Sequence, residues 1–230
     1  ISPNLTVQCK GYIEFYGEKF HCWEKKGHGF MRMKSAIKRS CDIYFYETAR
    51  RLGVDRLSET AKKFGLGKKV LEGIKEERPG VVPNTKWKKK YIGKNWYLGE
   101  TLHSGIGQGY FLSSPMQLCL MTAQIANGGY KISPRILIDP EDKKNSLEEY
   151  INFKKENPDT PLPNSFLLSN LSLEQLFRNQ ENINFIKDSM FAATNEPGGT
   201  SYASRLTKKG FVFAGKTGSS QIKRFTEEQR

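Results

Sequence analysis

The apolar run Phe211-Val212-Phe213-Ala214 breaks into Gly215-Lys216-Thr217-Gly218, followed by Ser219. Lys216 offers a cation, Thr217 and Ser219 offer hydroxyls, and the two glycines leave the backbone open to a chain lying alongside. That set suits an extended peptide ending in a carboxylate and added to a sheet edge. Aromatic and β-branched residues at 211–213 predict a strand here. A strand entering a turn is the plainer reading of the triplet alone. Two further groups could do chemistry. Ser40-Cys41-Asp42 stands where two helical patterns meet, either as a helix cap or as a hydroxyl and a carboxylate projected into a cleft. Cys9, Cys22, His28 and Cys41 are separated by 12, 5 and 12 residues. These spacings are wider than in short zinc knuckles, but four soft ligands suffice for a tetrahedral Cys3His zinc site. Buried free thiols, or one disulfide with a thiol left over, are the other readings of the same residues.

The elements that must position these groups follow from periodicity and caps. A helical pattern runs after Gly29 through Met31, Met33 and Ile37, and a second from Asp42 to Leu52, with Gly53 as its C′ residue. A third spans about Asp55 to Phe64. Lys68 to Gly93 reads as surface loops, and Gly105-Ile106-Gly107-Gln108-Gly109 as a tight packing turn without a phosphate-loop frame. Ser114-Pro115 starts a helix whose apolar face would be Leu118, Met121 and Ile125, with Asn127-Gly128-Gly129 to stop it. Cys119 within it is expected to be a buried core thiol. Tyr130 to Ile138 reads as a strand and 139–170 as a surface insertion. Ser172 with Gln175 reads as a capping box, and Ile183 to Thr194 as helix ahead of Gly198-Gly199-Thr200. Helices followed by a terminal strand predict an α+β fold.

With 230 residues and a net charge of +13, the chain can bury a core and presents a basic surface. Nucleic acid, anionic lipid or an acidic polymer would all be attracted. The lysines are scattered, as in Trp87-Lys88-Lys89-Lys90, and no nucleic-acid module is present, so nucleic acid is not an expected partner. No run approaches the roughly 20 apolar residues of a membrane span. Ile1-Ser2-Pro3 and Glu227-Glu228-Gln229-Arg230 read as cuts through a longer chain.

Taken in order, Ser40-Cys41-Asp42-x-Tyr-Phe-Tyr, Gly-Ile-Gly-Gln-Gly-Tyr at 105–110, Ser114-Pro115-Met116-Gln117, Ala126-Asn127-Gly128-Gly129, Gly199-Thr200 and Gly215-Lys216-Thr217-Gly218 resemble the class B penicillin-binding proteins, most of all their elongation-specific type. The resemblance spans nearly the whole chain. It implies the transpeptidase (β-lactamase-like) fold, an antiparallel sheet packed with helices, truncated here at both ends. It also implies serine acyl transfer through three motifs, Ser-x-x-Lys, Ser-x-Asn and Lys-Thr-Gly. Ser40-Cys41-Asp42 matches the second, with Asp42 in place of Asn as a catalytic residue, so a substrate amide donor could still be held while the side chain's own donor role is lost. Ser40 would relay a proton to the leaving group, Lys216 would supply positive potential, and Thr217, Gly218 and Ser219 would hold the substrate.

Ser35-Ala36-Ile37-Lys38 fits the letters of the first motif. However, Ser35 lies five residues before Ser40 on one helical run, whereas nucleophile and Ser-x-Asp must face each other from different elements. The nucleophile and its lysine are expected upstream of Ile1, so this chain alone is expected not to be acylated. Some members of the type carry a Cys/Asp/His set expected to hold zinc. His28 and Cys41 match it, Cys9 and Cys22 stand where carboxylates occur in relatives, and the ion would be structural. The resemblance further implies peptidoglycan stem peptides, β-lactams and elongation-machinery membrane proteins as partners. A single-pass anchor in the cytoplasmic (inner) membrane, outside this chain, would leave the domain on the periplasmic side. A β-lactamase or β-lactam sensor domain, or a non-catalytic basic scaffold for an anionic polymer, are the alternatives.

Overall fold

Glycine turns cut the first thirty residues into four short strands: β1 (Val7–Cys9), β2 (Tyr12–Phe15), β3 (Glu18–His21) and β4 (Gly29–Met31). In this computed structural model, residues 1–71, 74–134, 148, 151–153, 155–157, 174–208 and 210–220 are described. β2 and β3 form a hairpin, with Tyr12 opposite His21 and Phe15 opposite Glu18. Tyr16 and Gly17 turn it with φ of 52° and 80°, the left-handed pair that matches strand twist. β1 pairs antiparallel with β4, Cys9 opposite Gly29. That pairing takes residues 29–31 out of the helix expected there, because cross-strand bonds to β1 outweigh a weak local preference.

The first helix is therefore short, α1 (Met33–Arg39), and α2 (Asp42–Leu52) and α3 (Val54–Lys63) follow where the sequence puts them. Gly53 closes α2, its amide donating to Ala49 O. Residues 68–93 are not all loop, since α4 (Thr85–Ile92) lies within them. Its signals are present in the sequence: Asn84 accepts from the Trp87 amide, and Gly93 adopts the left-handed cap. Lys88, 2% exposed, anchors α4 by an ion pair with Glu100 and a position 4.5 Å above the Tyr97 ring. Glu100 belongs to α5 (Leu98–Gly105), a second helix that glycine content concealed. A Cβ at Gly105 would lie 2.4 Å from the Ala49 Cβ, so glycine here sets the close approach of α5 to α2.

The chain forms two compact units. One comprises Ile1–Leu57, Pro83–Phe111 and Asp188–Arg230, and the other Ser58–Val82 and Leu112–Lys187. In the first, Cys9, Phe20, Cys22, Met31, Ala36, Cys41, Ile43, Tyr44, Tyr46 and Leu102 make one buried cluster.

In the second unit, α6 (Pro115–Ala126) starts at a reciprocal cap in which Gln117 N donates to Ser114 Oγ and Ser114 N to Gln117 Oε1. Its buried face is Gln117, Leu120 and Gln124, not the expected Leu118, Met121 and Ile125. Gln117 Nε2 donates to Lys68 O at 2.6 Å and Pro79 O at 2.8 Å, and Gln124 Nε2 to Phe64 O at 3.0 Å. These loop carbonyls need donors, and that requirement sets the rotation of the helix. Cys119 is consequently exposed, against the expectation of a core thiol.

Tyr130 makes an isolated bridge to Gln175, and residues 130–134 form no strand. Residues 135–138, Ser172 and most of 139–170 lie outside the described residues. Helix α7 runs from Gln180 to Asn195 and contains the expected Ile183–Thr194. Gln175 lies before it, in the bridge to Tyr130, and the capping box expected with Ser172 falls outside the described residues. The expected terminal strand is also absent. Residues 211–220 are irregular, and Phe211, Val212 and Phe213 are 56%, 48% and 41% exposed, because no neighbouring strand among the described residues offers them a ladder. Helices with two small antiparallel sheets nevertheless make the fold α+β, as expected.

Candidate functional site

The site is built on the end of α1. Four carbonyls there have no partner within the helix. Cys41 N donates to Ala36 O and Ser40 N to Ile37 O, the paired bonds of a Schellman cap. Lys38 O accepts from the Thr200 amide at 3.1 Å, and Arg39 O from the Trp23 indole at 3.1 Å. Such a cap needs one left-handed residue, usually glycine. Here it is Ser40, with φ 51° and ψ 50°. A serine in that conformation costs about 1–2 kcal/mol, tolerated where the side chain is needed. The Trp23 indole also donates to Ser40 O at 2.9 Å, fixing the turn.

The cap presents the Ser40 hydroxyl to the segment 211–220, which hydrogen bonds attach to α7. Gly215 N donates to Met190 O, Asn195 Nδ2 donates to Phe213 O at 2.8 Å, and Gln108 Nε2 donates to Ser219 O at 3.0 Å. Lys216 Nζ thereby lies 2.5 Å from Ser40 Oγ and 3.0 Å from Thr217 O. Ser40 Oγ is 3.1 Å from Thr217 Oγ1, and Thr200 Oγ1 completes a triangle at 3.1 Å from Thr217 and 3.4 Å from Ser40. A Cβ at Gly218 would meet nothing within 4 Å, the open backbone a docking chain needs. Burial around the ammonium lowers the Lys216 pKa, and the charge of Asp42 opposes that shift. Chemically, the group can hand a proton from Lys216 to Ser40 and outward, while Thr217 offers its hydroxyl to a carboxylate.

The other predicted residues divide. Asp42 is next to the cluster, but its Oδ2 accepts from the Trp23 amide at 2.9 Å, which turns that oxygen toward the protein. Burial pushes its carboxyl up to about 6. Ser219 joins through its carbonyl. Ser35 Oγ accepts from Arg32 N and donates to Arg32 O, both at 2.9 Å, and Lys38 Nζ is paired with Glu196 at 2.8 Å. Ser35 is thus engaged with Arg32, and Lys38 with Glu196.

On the other side of Ser40-Cys41-Asp42, Cys41 joins Cys9, Cys22 and His28. Their ligand atoms all lie within 4.8 Å of one another, and all four residues are buried. Cys9 comes from the end of β1, Cys22 follows β3, His28 precedes β4 and Cys41 precedes α2. His28 Nδ1 lies 3.6 Å from Cys9 Sγ and 3.5 Å from Cys22 Sγ, and none of the four cysteines is in a disulfide. A tetrahedral zinc with bonds near 2.3 Å has ligand separations of about 3.8 Å, so the donor set fits that ion. A hydrogen bond from the Cys41 thiol lowers Cys22 to about 4 and raises Cys41. A thiolate is thus already favoured at Cys22. His28 Nε2 is buried with no hydrogen-bond partner among the described residues.

Three residues of the site were not singled out from sequence. Trp23 ties the thiol cluster to the Ser40 turn, Thr200 joins the hydroxyl group, and Gln108 holds Ser219. Gln108 and Thr200 stand inside the motifs that carry the resemblance. Nothing in their spacing assigns them a partner, and Trp23 has no sequence signal.

Comparison with known proteins bears on the family and the fold. The model of the penicillin binding protein transpeptidase domain matches residues 1–229. Peptidoglycan D,D-transpeptidase MrdA of Salmonella typhimurium is 30% identical over 207 residues, 90% of this chain and 30% of its own length. The Escherichia coli K12 protein of the same name is 29% identical over 224 residues, 96% of this chain and 32% of its own. The chain thus spans about a third of these curated relatives. Among solved structures, PBP2 of Helicobacter pylori in complex with MreC matches with a TM-score of 0.76 at 29% identity, covering 96% of this chain and 36% of that one. Pseudomonas aeruginosa PBP2 in complex with WCK 5153 matches with a TM-score of 0.76 at 31% identity, covering 96% and 46%. Sequence and fold together establish that the chain belongs to the penicillin-binding protein transpeptidase domain family.

Proposed function

We propose that this chain is part of a peptidoglycan D,D-transpeptidase of the elongation type, and that the group formed by Lys216, Ser40 and Thr217 is its proton-relay and carboxylate site. The observation that carries this reading is the 2.5 Å approach of Lys216 Nζ to Ser40 Oγ, with Thr217 Oγ1 3.1 Å away. In the whole protein a serine supplied from outside residues 1–230 attacks the penultimate D-alanine carbonyl of a stem peptide. The ester bond forms as the C–N bond breaks, and D-alanine departs as an amine carrying the proton delivered through Ser40. An acceptor amine then attacks the ester, a new C–N bond forms, and the serine regains its proton. Thr217, with Gly218 and Ser219, holds the terminal carboxylate and backbone of the donor, and β-lactams enter as its mimics. Asp42 orients the turn through Trp23.

The same reading gives Cys9, Cys22, His28 and Cys41 a zinc ion. Bound there, zinc supplies a closed structural cross-link behind the Ser40 turn. No helix among the described residues is long and apolar enough to cross a membrane. The reading places the domain in the cell envelope, on the periplasmic side of an anchor outside this chain. An elongation-machinery membrane protein is its partner, by analogy with the Helicobacter pylori PBP2 complex with MreC.

The test is a labelled penicillin on the full-length protein. One adduct is expected, mapping outside residues 1–230, and Lys216→Ala should slow its formation by about 100-fold or more, as for loss of an oriented charge. An adduct on Ser35, or Lys216→Ala within about threefold of the parent, would overturn the proposal.

A further inference from the structure

The hydroxyl of Thr200 has no part in the chemistry proposed above, yet it lies within the group that does. Its backbone amide donates to Lys38 O at 3.1 Å, which fixes the residue to the end of α1. Ser201 N donates to Ala193 O, and a Cβ at Gly199 would lie 2.3 Å from Ala193 O, so the turn that carries Thr200 is seated tightly against α7. From this backbone, Thr200 Oγ1 reaches Thr217 Oγ1 at 3.1 Å and Ser40 Oγ at 3.4 Å, and donates to Lys38 O at 3.5 Å.

Proton direction gives this position meaning. Each hydroxyl has one proton to give. Lys216 donates to Ser40 Oγ, so Ser40 must send its own proton away from Lys216, toward Thr217 or Thr200. Among the described residues, Thr200 is the one of the three hydroxyls with a backbone acceptor within reach of its proton, Lys38 O at 3.5 Å. With Thr200 donating to Lys38 O, its lone pairs face Thr217 and Ser40. When Thr217 turns its proton to a substrate carboxylate, Thr200 still offers Ser40 an acceptor.

We infer that Thr200 is a positioning residue that orients the Ser40 hydroxyl for proton relay, acting on the acylation step and not on carboxylate binding. This inference rests on the transpeptidase reading of the site.

The experiment measures acylation of the full-length protein by a fluorescent penicillin, separated into the dissociation constant of the first complex and the rate constant of acylation. Thr200→Val keeps the β-branched shape and the amide bond to Lys38 while deleting the hydroxyl. The acylation rate constant is expected to fall about tenfold with the dissociation constant within about twofold and the melting temperature unchanged, the size of one lost hydrogen bond. Thr200→Ser, which restores the hydroxyl, should return the rate to within about twofold. A Thr200→Val rate within twofold of the parent overturns the inference, as does a loss confined to the dissociation constant or one that Thr200→Ser does not rescue. A parent protein that takes up no label overturns the transpeptidase reading and this inference with it. A labelled parent with an equally fast Thr200→Val overturns this inference alone.

Discussion

Ser40 occupies a position where a helix cap favours glycine, and the reason is its hydroxyl. With φ 51° the residue stores strain of about 1–2 kcal/mol, and glycine would remove it at a cost of about 0.5–1 kcal/mol in unfolded-chain entropy. Ser40→Gly is therefore expected to leave stability unchanged or to raise it by up to about 1 kcal/mol, while acylation of the full-length protein collapses. Thermal unfolding beside penicillin labelling checks both halves. A variant that unfolds earlier would show that the hydroxyl contacts outweigh the backbone strain. Lys216 gives a pH prediction. Burial lowers its pKa, and the proposed relay would use the ammonium form. Acylation should then decline on the alkaline side at a pH below the ordinary lysine range, and Lys216→Arg, which stays charged, should remove that decline. A pH–rate profile reads this directly, and an alkaline limb that persists in Lys216→Arg would assign the decline to another group.

At the scale of elements, the site depends on α1 ending where it does and on α2 and α5 packing closely behind it. Gly105 permits that approach, with Ala49 Cβ 2.4 Å and Phe45 O 3.0 Å from where a side-chain carbon would sit. Its φ is an ordinary helical one, so overpacking is the only penalty for Gly105→Ala. A loss of about 1–3 kcal/mol is expected, measured by denaturant unfolding. An unchanged midpoint would mean that the two helices separate freely. Helices α2 and α3 were legible because their apolar spacing, first-turn acids and closing glycines agree. By contrast, α4 and α5 were concealed. Lysine-rich and glycine-rich stretches look like loops until Lys88 is seen paired with Glu100 and Gly105 against Ala49.

For the molecule as a whole, the strands β1 to β4 are three or four residues long and rest on the buried cluster through Phe20 and Met31, with three thiols and an imidazole gathered at their ends. On the reading proposed above, a zinc cross-link would hold strands this short in place. About one zinc per chain is expected by elemental analysis of protein purified without chelator. Removal of the ion, or His28→Ala, should lower the melting temperature and loosen the Ser40 turn, read as a change in Trp23 fluorescence. Trp23 lies 5.3 Å from His28 and bonds the Ser40 carbonyl, so it reports both events. Metal-free protein with the same melting temperature, or a Cys9–Cys22 disulfide, would exclude the site.

Ordered motifs from Ser40 to Gly218 were enough to identify the family and to mark Ser40, Lys216 and Thr217, while residue type and spacing marked Cys9, Cys22, His28 and Cys41 as candidate ligands, because side-chain chemistry is legible residue by residue. The α+β class was expected from helices followed by a terminal strand, whereas the strands that make it so form the two small antiparallel sheets near the start of the chain. Only the tertiary structure decided the partners. Asp42 faces Trp23 because the β3–β4 connection passes beside it, and α6 buries its glutamines because loop carbonyls lie there. Residues 211–220 are not a strand, since a strand exists only where a neighbour supplies the other half of its hydrogen bonds. Thr200 lies beside Ser40 because the turn after α7 returns to α1 across 160 residues of sequence, a distance over which no local spacing carries information.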